Sequence, residues 1–365
     1  MYRILISGYY GFNNIGDESI LKAVIDNLNS RLDGIEVTVL SKNPVSTAEK
    51  YNVKSVDRKS VRAIIAAVKR CDLLISGGGS LLQDVTSKRS IKYYLMIMKL
   101  ALLMRKKVMI YSQGIGPVTS KFNRRLTAGV LRKVSGIIVR DDSSKDLLTE
   151  IGVPAEKITV TADPVLRIKP VPIKKGGEIL KSEGFVPEEG KITVGFAIKE
   201  RKTDSAFIDE LCISMRRLKD EQNAQIVLIP FHFSEDMPLI EEIEKRMGGE
   251  VFAVKSKYLT EEMLSIIGNM DVLVGVRLHA LIHAAIMDVS MIAVSYDPKI
   301  NSFMRSVGMK AMCSIYDFNN EFFMEEFNKT IINGERVRGV VQARIKELIQ
   351  KLESNEEMIK KLMER

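Results

Sequence analysis

The run Val272-Leu273-Val274-Gly275-Val276-Arg277-Leu278-His279-Ala280-Leu281-Ile282-His283 decides how this chain is read. Its opening apolar residues are too few for a helix and read as a strand buried on both faces. Gly275 is a hinge, and the apolar residues from Leu278 onward start a helix. Arg277 and His279 fall where that helix leaves N–H donors without intrahelical partners. A cation beside such donors is a place to hold a phosphate or carboxylate. His279 and His283 have the i,i+4 spacing of a metal pair. The glutamate of His-Glu-x-x-His and a third ligand are missing, however, so no metal is expected. His283 is predicted to be a packed histidine; His279, in the opening turn, suits anion contact and proton transfer.

Working outward, the same strand–turn–helix unit repeats. In the first half, strands are predicted over residues 3–7, 37–40, 73–76, 108–111, 136–139 and 158–161. Amphipathic segments lie between them at 17–32, 61–69, 91–104, 123–133 and 143–151. Pro44 is expected to keep the stretch after the second strand from being helical. From Ala162 to Gly190 the rhythm breaks, with prolines at 164, 170, 172 and 187 around Gly176-Gly177. The pattern then resumes with strands at 192–198, 226–230, 251–254, 272–276 and 291–294. The expectation is an α/β protein of two Rossmann-like domains facing across a cleft. Residues 1–170 form the first domain, 171–190 a linker, 191–335 the second domain and 336–365 a charged amphipathic helix. The last turns of that helix, from Asn355, are expected to fray or to mediate self-association.

Three glycine-marked turns follow strands of the first half: Gly8 to Glu18, Gly77-Gly78-Gly79-Ser80 and Gly114-Ile115-Gly116-Pro117. The ends of parallel strands are where open α/β sheets place ligands. Neither the dinucleotide fingerprint nor a P-loop is present. Asn13 and Asn14 offer neutral amides, and Asp17 is either a helix cap or a ligand for a substrate hydroxyl. Gly78, Gly79, Gln113 and Gly114 are candidates to line the same crevice. Arg140 ends a strand and faces either a ligand or the neighbouring Asp141 and Asp142; guanidinium suits bidentate recognition of an anion. Asp163-Pro164 closes the half. In the second half His232, Lys199 and Arg201 also leave strand ends.

The chain has 365 residues and a formal charge of +9, from 55 basic and 46 acidic residues. The excess is concentrated at Lys88, Arg89, Lys92, Arg105–Lys107, Lys121, Arg124, Arg125, Arg132 and Lys133. Such a face could meet nucleic acid, anionic lipid or an anionic substrate. Without zinc-finger spacing, an aromatic RNP strand or a helix-turn-helix, nucleic acid is not expected. Cys71, Cys212 and Cys313 are isolated, which fits a reducing cytoplasm, and no signal peptide or spanning segment is read. The apolar segment 93–104 rests either against the sheet, the favoured reading, or at a membrane surface.

These motifs, in their order and spacing over roughly residues 3–300, resemble the polysaccharide pyruvyl transferase family, and closely its bacterial cell-wall branch. The resemblance rests on Gly8–Glu18, Ser76–Ser80, Gln113–Pro117, Val139–Asp141, Ala162–Pro164 and Gly275–His279. It implies a GT-B-like glycosyltransferase architecture and no cofactor beyond phosphoenolpyruvate as donor substrate. The implied reaction makes a pyruvate ketal across the 4- and 6-hydroxyls of an N-acetylmannosamine-type residue. The implied acceptor is a lipid-diphosphate-linked aminosugar disaccharide, a precursor of the wall polymer that anchors S-layer proteins. By that resemblance Arg140, Arg277, Leu278 and His279 contact the donor. His279 is a candidate proton donor, and Asp17, Asp141 and Asp163 are candidate acceptors of hydroxyl protons. Two other readings stand beside it: a glycosyltransferase using a nucleotide-sugar donor, and a non-catalytic envelope protein that binds glycan or lipid.

Overall fold

In the computed structural model, which describes residues 1–85, 87, 89–199 and 205–364, the chain forms two compact units. Lys88 and Arg201, named above, lie outside the described residues. The first unit is Met1–Arg167 with Glu347–Arg365, and the second is Ile168–Lys346.

The first unit runs β1 (Tyr2–Tyr10), α1 (Ile15–Arg31), β2 (Ile35–Ser41), α2 (Pro44–Tyr51), β3 (Lys54–Asp57), α3 (Val61–Arg70) and β4 (Leu73–Ser76). It continues through α4 (Ser90–Leu103), β5 (Lys107–Gln113), α5 (Lys121–Leu131), β6 (Gly136–Val139), α6 (Asp142–Glu150) and β7 (Ile158–Val160). The strands make one parallel sheet in the order β3-β2-β1-β4-β5-β6-β7. Every residue of β4 and β6 is buried, which is why their sequences show no alternation. The chain leaves β1 in one direction and returns on its other side at β4, so the order reverses between these two strands. That switch point is where such sheets open a crevice.

The second unit contains α7 (Lys174–Ser182), β8 (Ile192–Ala197), α8 (Ser205–Gln222), β9 (Ala224–Leu228), α9 (Phe233–Arg246), β10 (Phe252–Ala253) and α10 (Thr260–Ile267). Then follow β11 (Val272–Gly275), α11 (Leu278–Ile286), β12 (Ser290–Ser295), α12 (Pro298–Ser306), β13 (Cys313–Ser314) and α13 (Asn320–Lys351). Its parallel sheet has the order β10-β9-β8-β11-β12-β13, with the reversal between β8 and β11.

Three expectations are corrected. Pro44 does not block a helix; it starts α2, where its missing N–H costs nothing, and Asn43 accepts a hydrogen bond from the Ser46 amide. Residues 171–190 are not a plain linker, because α7 packs on α10 within the second unit. Gly176 permits that approach: a Cβ there would lie 2.1 Å from the Ser265 carbonyl oxygen. The C-terminal helix begins at Asn320 rather than 336, and after Lys351 a separate helix, α14 (Glu353–Glu364), belongs to the first unit. Asn355 and Ile359 are fully buried there, so these turns do not fray. Tyr111 donates to Glu356 Oε1 at 3.0 Å, Asn355 donates to Ser112 Oγ at 2.8 Å, and Arg167 pairs with Glu356 at 2.7 Å. The sequence reading missed this because the partners lie in β5, some 245 residues away.

Candidate active site

At the switch point of the first sheet, β1 runs on past the expected end at Ser7 to Tyr10, with a register shift after Ser7. Asn13 turns the chain at φ +57, a conformation asparagine tolerates better than most residues. Asn14, not Asp17, caps α1: its Oδ1 accepts from the Gly16 amide at 3.1 Å. Its Nδ2 donates to Asp17 Oδ2 at 2.6 Å. Asp17 remains half-buried, one turn into the helix, facing the loop after β4. Gly79 has φ +88, and a Cβ there would come within 2.9 Å of Asp17 Oδ1. Gly78 likewise admits the Ile20 side chain. Gln113 does not line a crevice; it is fully buried and donates to the Gly77 carbonyl at 2.7 Å, fixing the triglycine turn from behind.

Arg140 sits where β6 ends and is held on all sides. Its Nη1 lies 3.1 Å from Asp163 Oδ2, its Nε 3.4 Å from Asp141 Oδ2, and its Nη2 3.3 Å from Ser80 Oγ. Gly114 makes room for it, since a Cβ would sit 2.6 Å from the guanidinium. Asp163 is buried and also accepts from the Val165 amide at 3.1 Å. Asp141 caps α6, accepting from the Ser144 amide and hydroxyl at 2.8 and 2.6 Å. Asp17, Gly79, Ser80, Gly114, Arg140, Asp141 and Asp163 are thus brought together along one loop.

Two first-unit features were missed. Arg58, buried after β3, donates to the Gly8 carbonyl at 3.2 Å and to the Tyr94 hydroxyl at 3.3 Å. The rings of Tyr9, Phe12, Tyr93 and Tyr94 surround it, the nearest centroid 4.6 Å away, and Tyr9 stacks on Phe12 at 3.9 Å. Asp84 accepts from the Thr119 and Ser120 amides and from Asn123, binding the β4 and β5 loops together. Burial works against its charge, but these donors lower its pKa to about 2.

In the second unit Arg277 is the N-cap of α11, and its Nη2 binds the fully buried Asp236. Asp236 also accepts from the Phe231 and His232 amides at 3.0 and 2.8 Å, so α9 and α11 are tied by one carboxylate. Glu235 lies 3.7 Å from Arg277 and 3.0 Å from His232 Nδ1. The His232 hydrogen bond, aided by its charge and that of Arg277 against burial, lowers the Glu235 pKa to about 2. The Nε–H of Arg277 is buried and has no protein partner among the described residues. Leu278 opens α11 as a buried residue, His279 is half-buried beside it, and His283 packs edge-on against Phe231 at 5.4 Å.

Beside this arginine stands a third missed feature. Tyr296, at the end of β12, carries Lys199 5.2 Å and Lys299 5.9 Å from its ring centroid. Burial opposes its ionisation, yet Lys299, Lys199 and Arg277 together hold the phenol below its ordinary pKa. Lys199 leaves β8 and Arg277 leaves β11, the two strands at the reversal of this sheet. The second switch point therefore gathers three cations, with Asp297 3.3 Å from Lys299 and Asp236 on Arg277. Its pairing with Tyr296 and Lys299 could have been suspected from the Tyr-Asp-Pro-Lys sequence after β12; the Asp236 contact could not.

This architecture is shared with solved GT-B-like enzymes that handle nucleotide sugars. HepE of Anabaena, solved with UDP and glucose, matches with a TM-score of 0.67 at 12% identity, covering 100% of both chains. MnaA of S. aureus, solved with UDP, matches with a TM-score of 0.66 at 12% identity, over 94% of this chain and 91% of its own. The chain belongs to the polysaccharide pyruvyl transferase family, whose pattern it matches over residues 14–298. Among characterised sequences it is 20% identical to the amylovoran biosynthesis protein AmsJ of Erwinia amylovora, covering 94% of this chain and 96% of that one.

Proposed function

We propose that this protein transfers an enolpyruvyl-derived unit from phosphoenolpyruvate to two hydroxyls of one sugar, forming a cyclic ketal and releasing phosphate. Family membership supports the reaction class, and the gathering of Arg277, Lys199 and Lys299 at the switch point of the second sheet is the observation that supports the donor. Arg277, with a buried N–H that no described residue accepts, the opening amides of α11 and the nearby Lys199 suit a small, highly charged anion. His279 gives a proton to the methylene carbon, C2 becomes cationic, and one sugar hydroxyl adds there while losing its proton. The second hydroxyl then displaces phosphate: the C2–O bond to the phosphate breaks, a second C2–O bond to the sugar forms, and the hydroxyl proton leaves with the phosphate. Asp17, Asp141 and Asp163 are the proposed candidates to accept a hydroxyl proton; Asn14 donates to Asp17, Ser144 to Asp141, and Arg140 pairs with Asp163. The acceptor proposed from the cell-wall resemblance is the 4,6-diol of an N-acetylmannosamine-type residue on a lipid diphosphate.

A second reading has its own observation. The solved enzymes of like fold carry UDP, and the same cationic cluster would suit a nucleotide diphosphate. Fold similarity favours this nucleotide-sugar donor, whereas the family match favours phosphoenolpyruvate. One experiment separates them: the enzyme is incubated with a lipid-linked aminosugar disaccharide and either phosphoenolpyruvate or a UDP-sugar. Phosphate release with an acceptor that gains a carboxylate and loses two hydroxyls is the expected result. UDP release with a lengthened glycan would overturn it in favour of the second reading, and no turnover of either donor would leave a binding protein.

A further inference from the structure

We infer that the outer face of α3, α4 and α5 docks the first unit onto an anionic lipid bilayer. These three helices pack side by side on one side of the first sheet. The inward face of α4 buries Ile91, Tyr94, Leu95, Met98 and Ala101, as expected for a helix lying on the sheet. The opposite stripe, at helical spacing, reads Lys92, Met96, Lys99 and Leu103, with Met96 67% and Leu103 73% exposed. On α5 the exposed residues are Lys121, Phe122 and Arg125, and Phe122 is 62% exposed. Lys92 Nζ lies 5.3 Å from the Phe122 ring centroid, which joins the two stripes into one patch.

The charge of this face is not balanced within the fold. From Val85 to Val139 the sequence holds 12 basic residues and no acidic one. The flanking acids are engaged elsewhere: Asp72 with Arg3, Asp84 with the β5–α5 turn, and Glu150 with Arg124. Among the described residues Lys92, Lys99, Lys121 and Arg125 make no ion pair. Lysines and arginines interleaved with large exposed apolar side chains match the two layers of a membrane surface, phosphate above and acyl chain below. A polyanion such as RNA would solvate poorly around Met96, Leu103 and Phe122. A second copy of this face would meet its own charge. The N-termini of α4 and α5 follow the β4 and β5 turns, so the patch starts at the sheet end that carries Asp17 and Arg140.

The inference is independent of which donor is used. The test is flotation of the full chain with vesicles of equal parts phosphatidylglycerol and phosphatidylcholine, against phosphatidylcholine alone. Binding to the anionic vesicles only, weakened by salt, is expected. Two solvent-facing variants are compared. Lys92→Glu/Lys99→Glu/Lys121→Glu/Arg125→Glu should lose about tenfold or more in partitioning. Met96→Ser/Leu103→Ser/Phe122→Ser should lose about fivefold with its charge intact. Wild-type protein that stays with the unbound fraction, or variants that both float like wild type, would overturn the inference. So would a vesicle-free dimer that both variants split.

Discussion

Each unit of this molecule ends a buried parallel strand in an arginine bound to a buried aspartate, yet the two arginines are held differently. Arg140 spends Nε, Nη1 and Nη2 on Asp141, Asp163 and Ser80. Arg277 gives Nη2 to Asp236 and keeps a buried Nε–H without a partner among the described residues. Around Arg140 the neighbours are carboxylates and glycine turns; around Arg277 they include Lys199, Tyr296 and Lys299. The first arrangement is a clamp that fixes loops; the second gathers three cations, Arg277, Lys199 and Lys299, of which Arg277 faces Asp236 and Lys299 faces Asp297. A guanidinium is read by what its remaining N–H groups do, and a strand-end arginine in sequence does not show that.

The largest effect should come from removing the arginines themselves. Arg277→Ala strands Asp236 in the interior and should cost about 3–5 kcal/mol, seen in chemical denaturation, together with nearly all donor turnover. Arg277→Met/Asp236→Leu should recover much of the stability and none of the turnover. Arg140→Ala leaves Asp163 accepting from the Val165 amide and should destabilise less, raising KM for the acceptor more than for the donor. Equal kinetic effects of the two alanines would erase the distinction drawn between clamp and ligand.

Gly114→Ala tests the clamp without removing charge. Its Cβ would press on the Arg140 guanidinium, and the displacement should cost about 1–3 kcal/mol, with a matching fall in turnover. The equivalent Gly275→Ala would press on the fully buried Leu281 side chain, 2.6 Å away, and should cost stability without touching a guanidinium.

Acid should weaken the first unit before the second through Asp84. Its folded pKa, about 2, lies below the unfolded value of 3.8, so its stabilisation is complete above that value and is lost as pH falls from about 4 towards 2. The loss should be about 1–2 kcal/mol and absent in Asp84→Asn. Glu235 is depressed to a similar pKa but its side chain is 51% exposed, so screening should leave Glu235→Gln a much smaller effect on the same acid titration.

The smallest effect is expected at Tyr296. Tyr296→Phe keeps the ring and the three cations, so stability should change by less than about 0.5 kcal/mol. The KM for the donor should shift about threefold, because the phenol no longer shares the lysines. In the wild type, one tyrosine should ionise below the ordinary range by ultraviolet difference titration, and that signal should vanish in the variant.

Apolar runs without alternation were enough to read the βα rhythm, the parallel sheets and most strand positions, because burial on both faces leaves no other pattern. The positions of the glycine turns, of Arg140 after its strand, and of Arg277 and His279 where a helix begins were legible too, since a parallel strand's end is a fixed place. Local sequence misjudged Pro44, Gly176 and Asn355. Whether proline starts a helix, glycine joins two helices or an asparagine is buried depends on what packs against it. Only the tertiary structure decided that Gln113 holds a turn, that Asp236 serves Arg277 and that α14 closes on β5. Those pairings join residues tens to hundreds of positions apart, and strand order, which no local pattern encodes, determines which ends meet.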